Sequence, residues 1–136
     1  MLLTGCAAPL GNACSAVGWL NTVEVQLEGS ASALDLVAWV EFCDADSCSR
    51  SDQQNGIAPT PTGEALSEYR ASPSGPTGWS VEVGMSQPPD ATVTAYAADA
   101  SVLATTTAVL EWRRVGGSER CGGPGAADAV HLQLGD

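Results

Sequence analysis

The sequence predicts an all-β sandwich of about seven strands. Apolar residues recur with a period of two rather than 3.6, which is typical of strands. The 15 Gly and 8 Pro residues break the chain at short intervals, so the strands are short and separated by turns. With 136 residues the chain has the length of one domain. We therefore expect one core between two sheets.

The first two predicted strands lie before Cys43. In GWLNTVEVQLEG one parity is apolar and the other is polar, which predicts a half-buried strand. LDLVAWVEF repeats the pattern with Leu34, Leu36, Ala38, Val40 and Phe42. Because Val37 and Trp39 add apolar side chains on the second parity, we expect this strand to be covered on both faces.

The later strands follow turn-forming segments. A third strand over WSVEVGM carries Trp79, Val81, Val83 and Met85 on its apolar face. Two Thr- and Val-rich runs around Asp99-Ala100-Ser101 predict a hairpin, and AVHLQL predicts the last strand. Between Ser51 and Gly78 we predict only one weak strand. Its segment Glu64 to Arg70 is the best helix candidate or, equally, a short edge strand.

The charge of the chain excludes several partners. Sixteen acidic residues face five Arg, with no Lys, for a formal net charge of −11. An acidic surface repels phosphate groups, so nucleic acid and electrostatic adhesion to anionic lipid are excluded. No run of 18 apolar residues is present to span a bilayer.

An odd number of cysteines points to a modified N-terminus. The five are Cys6, Cys14, Cys43, Cys48 and Cys121. The stretch LTGC, which ends at Cys6, resembles the lipobox of bacterial lipoproteins, in which the cysteine receives diacylglycerol before the leader is removed. If Cys6 is lipidated, the other four cysteines can form two bridges.

The start of the chain is too short for a complete leader. Only Met1 to Gly5 precede Cys6, whereas an apolar leader core needs about 7–15 residues. We expect the true start upstream, residues 1–5 as a signal-peptide remnant, residues 6–13 as lipidated cysteine and tether, and residues 14–136 as one sandwich domain. The alternative is a cytoplasmic protein with a chance LTGC and five reduced thiols.

The four remaining cysteines favour one pairing. Four residues separate Cys43 from Cys48, so a bridge between them would clip a tight turn. Cys14 and Cys121 would then draw the two chain ends together. The two other connectivities stay open at this point.

Two longer stretches widen the resemblance. CSAVGWLNTVEVQLEG, and AVLEWRRVGGSERCGGP followed by a terminal strand, resemble small surface lipoproteins of high-GC Gram-positive bacteria. The resemblance implies export, lipid anchoring to the outer face of the cytoplasmic membrane, and an immunoglobulin-like or transthyretin-like sandwich. It implies no activity.

Few residues have the chemistry of a catalytic or metal site. His131 is the only histidine, so we expect no triad or His-based metal cluster unless Ser or carboxylate groups contribute unusually, and its parity predicts a solvent-facing side chain. Asp44, Asp46 and Asp52 form the only local carboxylate cluster. Because the glycine and glutamate of a calcium loop are missing, a solvated turn is favoured over a calcium site.

The tryptophans have two interpretations each. Trp19 and Trp79 share parity with aliphatic residues and are predicted in the core. Trp39, together with Val37, would form either an exposed platform for a sugar or a protein, or a side chain covered by a neighbouring segment. Trp112 would stack on a guanidinium of the following arginine pair, or simply precede a solvated strand end.

Three classes of function fit the sequence. The first is a lipid-anchored cell-surface binding or accessory module with a protein or glycan partner. The second is a structural spacer in the envelope, and the third is a hydrolase with an unrecognised carboxylate site. We favour the first, and expect a monomer without catalytic residues, metal or cofactor.

Overall fold

The structure is a computed structural model that describes residue 14 and residues 18–50 and 69–135. Within them lie two β-sheets and one short helix. The elements are β1 (Thr22–Glu28), α1 (Ala31–Asp35), β2 (Val37–Cys43), β3 (Arg70–Pro73), β4 (Gly78–Glu82), β5 (Asp90–Ala97), β6 (Val102–Val109), β7 (Trp112–Arg114), β8 (Gly125–Ala127) and β9 (Val130–Gln133). The described part has nine strands, where the sequence predicted about seven. The predicted all-β sandwich is confirmed.

The large sheet is built around β1. Its order is β3-β4-β1-β8-β7, and β9 also pairs with β1. β1 is antiparallel to β4 and parallel to both β8 and β9. Its buried residues Val23, Val25 and Leu27 alternate with polar side chains on the outer face, as the period of two predicted.

The small sheet is antiparallel, in the order β2-β5-β6. The predicted hairpin between β5 and β6 is confirmed. In its turn the Ala97 oxygen accepts from the Ala100 N–H, and Asp99 Oδ1 accepts from both the N–H and the hydroxyl of Ser101. Ala100 has φ of 70°, a left-handed conformation that the short Asp99–Ser101 bonds hold in place.

The core fills the space between the sheets. Val40, Phe42 and Val93 of the small sheet are fully buried, as are Val23 and Val81 of the large one. Trp79 is 6% exposed, so its predicted place in the core is confirmed. Burial of this kind stabilises by about 25 cal/mol per Å² of apolar surface.

Both predicted bridges are present. Cys14 and Cys121 are 107 positions apart, and their Cα atoms lie 5.3 Å from each other. Cys43 and Cys48 are five positions apart and close a tight turn after β2. Cys6 lies outside the described residues, as do the predicted leader remnant and tether.

The second strand was predicted three residues too early. Ser30 caps a helix by accepting from the Ala33 N–H, so residues 31–35 form a helical turn before the strand begins at Val37. Leu36 is consequently 59% exposed instead of facing the core. Alternating apolar residues cannot reveal such a cap, because a five-residue helix is shorter than two turns.

Three other predictions change at strand ends. Met85 is exposed, because β4 ends at Glu82 and Gly84 turns with φ of 63°. Trp19 precedes β1 and is only half-buried; a Cβ at Gly122 would come within 3.1 Å of its ring. Of the helix candidate only its last two residues are described, and there the chain enters β3 at Arg70.

Candidate binding surface on the small sheet

The outer face of the small sheet differs from its buried face. Val40 and Phe42 of β2 point into the core, so the alternate residues point outward. The same alternation in β5 and β6 places threonines beside them. We name this surface the threonine face, and it comprises Trp39, Glu41, Cys43, Thr92, Thr94, Tyr96, Thr105 and Thr107.

Two rows of threonines cross this face. Thr94 pairs with Thr105 and Thr92 with Thr107 in the β5–β6 register. The hydroxyl oxygens are 3.0 Å apart in the first pair and 3.3 Å apart in the second, and either oxygen can donate. β-branched side chains have few rotamers, so these rows are rigid. Thr92, Thr105 and Thr107 are exposed, whereas Thr94 is only 9% exposed and lies beneath its neighbours.

Two stacked aromatic rings form the next row along this face, since Trp39 pairs with Tyr96 in the β2–β5 register. Trp39 and Tyr96 stack with centroids 5.1 Å apart and ring planes 17° apart. The Tyr96 hydroxyl donates to Glu41 Oε1 at 3.2 Å. Burial raises the pKa of Tyr96, and the Glu41 charge raises it further, so the phenol stays protonated at neutral pH. The hydroxyl therefore remains a hydrogen-bond donor to Glu41 at neutral pH.

The exposure of Trp39 is intermediate between the two predicted alternatives, an exposed platform and a covered side chain. Its side chain is half-buried, packs against the core and has Tyr96 on one face. Val37 is half-buried too and lies beyond a register shift between Val37 and Trp39. Trp39 Nε1 is buried with no acceptor among the described residues. The indole ring therefore lies at one edge of the threonine face, where the core and Tyr96 hold it in position.

An acidic cleft adjoins this face at the Cys43–Cys48 turn. It has a volume of about 580 Å³ and is lined by Asp44, Ala45, Asp46, Ser47, Tyr69, Ser86, Gln87, Pro88, Pro89 and Asp90. Asp44 Oδ1 accepts from the N–H groups of Asp46 and Ser47, both at 2.7 Å. Its Oδ2 accepts from the Tyr69 hydroxyl at 2.6 Å. Asp44 therefore organises the turn.

These bonds also decide the charge of Asp44. Partial burial raises the pKa of the carboxyl, but the bonds from Tyr69, Asp46 and Ser47 outweigh burial and hold the pKa below its usual value. Burial and the bond to Asp44 raise the pKa of Tyr69. Asp44 is thus an ionised turn residue, whereas a general acid needs a raised pKa.

The described residues give little support for a metal site. Both oxygens of Asp44 accept hydrogen bonds, and Asp52 lies outside the described residues. One other group of ligand atoms comes together, from Glu41, Cys43 and Cys48, all within 4.8 Å of one another. Because the two sulfurs share a disulfide, they are not thiolate ligands, and only the carboxylate remains.

The remaining singled-out residues lie on the large sheet. His131 faces solvent, as predicted, with Nδ1 3.3 Å from Glu28 Oε1. Trp112 packs against the core and donates from Nε1 to the Pro88 oxygen at 2.8 Å. Arg113 pairs with Asp128 and Arg114 donates to the Gly116 oxygen, and both are exposed. Of the two alternatives for Trp112, the structure therefore agrees with the solvated strand end.

Sequence reasoning missed the threonines, Tyr69 and Tyr96. A signal for the threonines is present, since ATVTAYA and LATTTAV each repeat Thr at a spacing of two. That spacing places them on one face of a strand. Tyr69 and Tyr96 meet Asp44 and Glu41 only through the fold, so no local pattern identifies them.

No protein-family model, curated protein or solved structure matches the chain. The immunoglobulin-like or transthyretin-like type of sandwich therefore stays a prediction. No helix in the described ranges has the length and hydropathy to cross a bilayer.

Proposed function

We propose that the protein is a lipid-anchored extracytoplasmic binding module whose ligand surface is the threonine face. One observation is the main support for the proposed lipid anchor. The four cysteines from Cys14 onward are joined in two bridges, so the fifth, Cys6, has no other cysteine of the chain to pair with. It ends the lipobox-like LTGC, where the cysteine is the lipid acceptor.

The bridges also support an oxidising location. Disulfides persist outside the cytoplasm and are rare within it, where thiols are kept reduced. The outer face of a bacterial cytoplasmic membrane provides both that environment and the lipid acceptor of an anchor. Residues 7–13 would extend by at most about 25 Å, so the domain stays close to the bilayer.

The anchor would hold one end of the sandwich towards the membrane. Cys14 is bridged to Cys121 near the start of β1. Exposed Leu20 and Val115 lie at this end, and a Cβ at Gly18 would touch Met85 Sδ. The Trp39–Tyr96 stack lies near the start of β2, at the opposite end of the sandwich, and would therefore be presented away from the bilayer.

The composition of the threonine face supports binding over a spacer role. A spacer needs only a solvated surface, whereas this face joins rigid hydroxyl rows to a fixed aromatic pair. Such side chains lose little conformational entropy when they are covered. We assign the protein no catalytic step or cofactor, and propose that the anchored domain acts as a monomer.

Replacing Cys6 tests the anchoring. In a leader-bearing gene, Cys6→Ser removes the lipid acceptor without changing a bridge. We expect a folded protein that is lost from the membrane fraction. Thr4→Ser, which keeps a small residue in the motif, is the matched control and should be retained. A Cys6→Ser variant that still fractionates with membranes would contradict the proposal.

A further inference from the structure

The strands at the sheet edges are protected unequally. Four of the five edge strands within the described residues are short or blocked. β3 has four residues including Arg70 and Pro73, β7 has three, of which two are arginines, and β9 has four. At the end of β2, Ser49 accepts from the Phe42 N–H and donates its own N–H back to Phe42. These features prevent pairing with other chains.

β6 has none of these protections. Its eight residues, VLATTTAV, contain no charge and no proline, and among the described strands it pairs with β5 alone. Val102 is 58% exposed and Val109 is 82% exposed. A long, uncharged and exposed edge is a template for an additional strand.

The charged residues around β6 indicate which kind of partner strand could pair with it. Asp90 pairs directly with Val109, Asp99 lies in the turn before β6, and Glu111 follows the strand by two positions. All five arginines lie outside the three strands of the small sheet. Two copies of a chain with net charge −11 repel each other, which opposes pairing of β6 with itself.

We infer that β6 docks an extended segment of a partner protein, uncharged and rich in β-branched residues at its centre and carrying Lys or Arg at its ends. The segment adds to the small sheet as a fourth strand. This inference rests on the proposed use of the small sheet for binding. Every second side chain of the docked segment extends one of the two threonine rows. One row is Thr92 and Thr107, and the other is Thr94 and Thr105.

A synthetic peptide tests the docking without knowledge of the natural partner. The probe is KKATVTAYAKK, whose centre copies the strand that β6 already accepts on its other side. Titrated into the 136-residue chain, it should slow amide exchange in β6 and bind more weakly as salt rises. The same peptide with glutamates in place of lysines should bind about tenfold more weakly or worse.

Main-chain pairing is tested by two further peptides. Each carries N-methyl groups on alternate residues, one peptide on the odd and the other on the even positions of the ATVTAYA centre. Because only one edge of an added strand pairs with β6, one isomer should lose binding by about tenfold or more and the other should keep it. Equal binding of both isomers would overturn strand addition.

Protein variants locate the site. Thr107→Lys places a charge on β6 and should abolish peptide binding, while Ser72→Lys adds the same charge to exposed β3 and should leave it intact. Three results would overturn the inference. They are loss of peptide binding in both variants, protection from amide exchange outside β6, and a β6-dependent dimer of the protein alone in sedimentation equilibrium. If the peptide does not bind β6 but membrane retention depends on Cys6, the strand-docking inference is wrong and the proposed lipid anchoring is unaffected.

Discussion

The two sheets bury similar side chains but present different outer faces. The large sheet presents charged and amide groups, where Glu28 accepts from Gln133 at 2.6 Å and lies beside His131. The small sheet presents threonine rows and stacked rings. Inner faces are constrained by packing, whereas outer faces are free to serve solubility or recognition. This contrast is why we propose the small sheet as the binding surface and the large sheet as its solvated scaffold.

The two disulfides should show the largest difference between the sheets. Cys14→Ser opens the bridge that spans 107 positions beside the large sheet, and Cys43→Ser opens the five-position clip beside the small one. Chain entropy predicts losses of about 5 and about 2 kcal/mol in the free energy of unfolding. Denaturant unfolding of both variants measures this. An equal or reversed order would contradict the scaffold role of the long bridge.

Asn21 tests how the large sheet is held together. It is fully buried, donates from Nδ2 to the Ser86 oxygen at 2.8 Å and accepts at Oδ1 from the Gly125 N–H at 2.7 Å. Asn21→Ala leaves both backbone groups without a partner and should cost about 2–3 kcal/mol. Thermal unfolding measures the loss. Asn21→Asp keeps the acceptor for Gly125 but sets a second oxygen against the Ser86 oxygen at a buried position, so it should cost at least as much.

The threonine rows should matter less for stability than for binding. Thr94→Val and Thr105→Val each remove one partner of a 3.0 Å hydroxyl pair and should each cost about 0.5–1 kcal/mol. The double variant should cost less than their sum, because neither hydroxyl is then unpaired. A double-mutant cycle in urea measures the coupling. Strict additivity would show that the row makes no coupled contribution.

Acid should reveal a small contribution from the turn beside the small sheet. The pKa of Asp44 is lower in the fold than its usual 3.8, so its stabilising effect is present above pH 3.8 and is lost as pH falls through the folded pKa. Asp44→Asn should therefore show a shallower loss of stability below pH 4 than Asp46→Asn. Unfolding midpoints between pH 2 and 6 measure the difference, and parallel curves would contradict it.

Alternating burial and breaker residues made the sandwich predictable from the sequence. Val23, Val25 and Leu27 predicted a strand because burial on one face repeats every second residue. The short helix after Ser30 was not predictable, since it depends on one capping bond and not on periodicity.

The candidate site was less predictable, because its contacts join distant parts of the chain. Trp39 was singled out, but its stacking partner Tyr96 lies on another strand. Edge exposure of β6 likewise depends on strand order, which no local pattern in VLATTTAV contains.

Non-reducing peptide mass spectrometry tests the anchoring most directly. The protein would be expressed from its native gene in its own host, and the membrane and soluble fractions would both be analysed. We expect an N-terminal peptide that begins at Cys6 and carries diacylglycerol, with Cys14 linked to Cys121 and Cys43 to Cys48. An unmodified Cys6 thiol in a soluble fraction, still preceded by Gly5, would contradict this expectation.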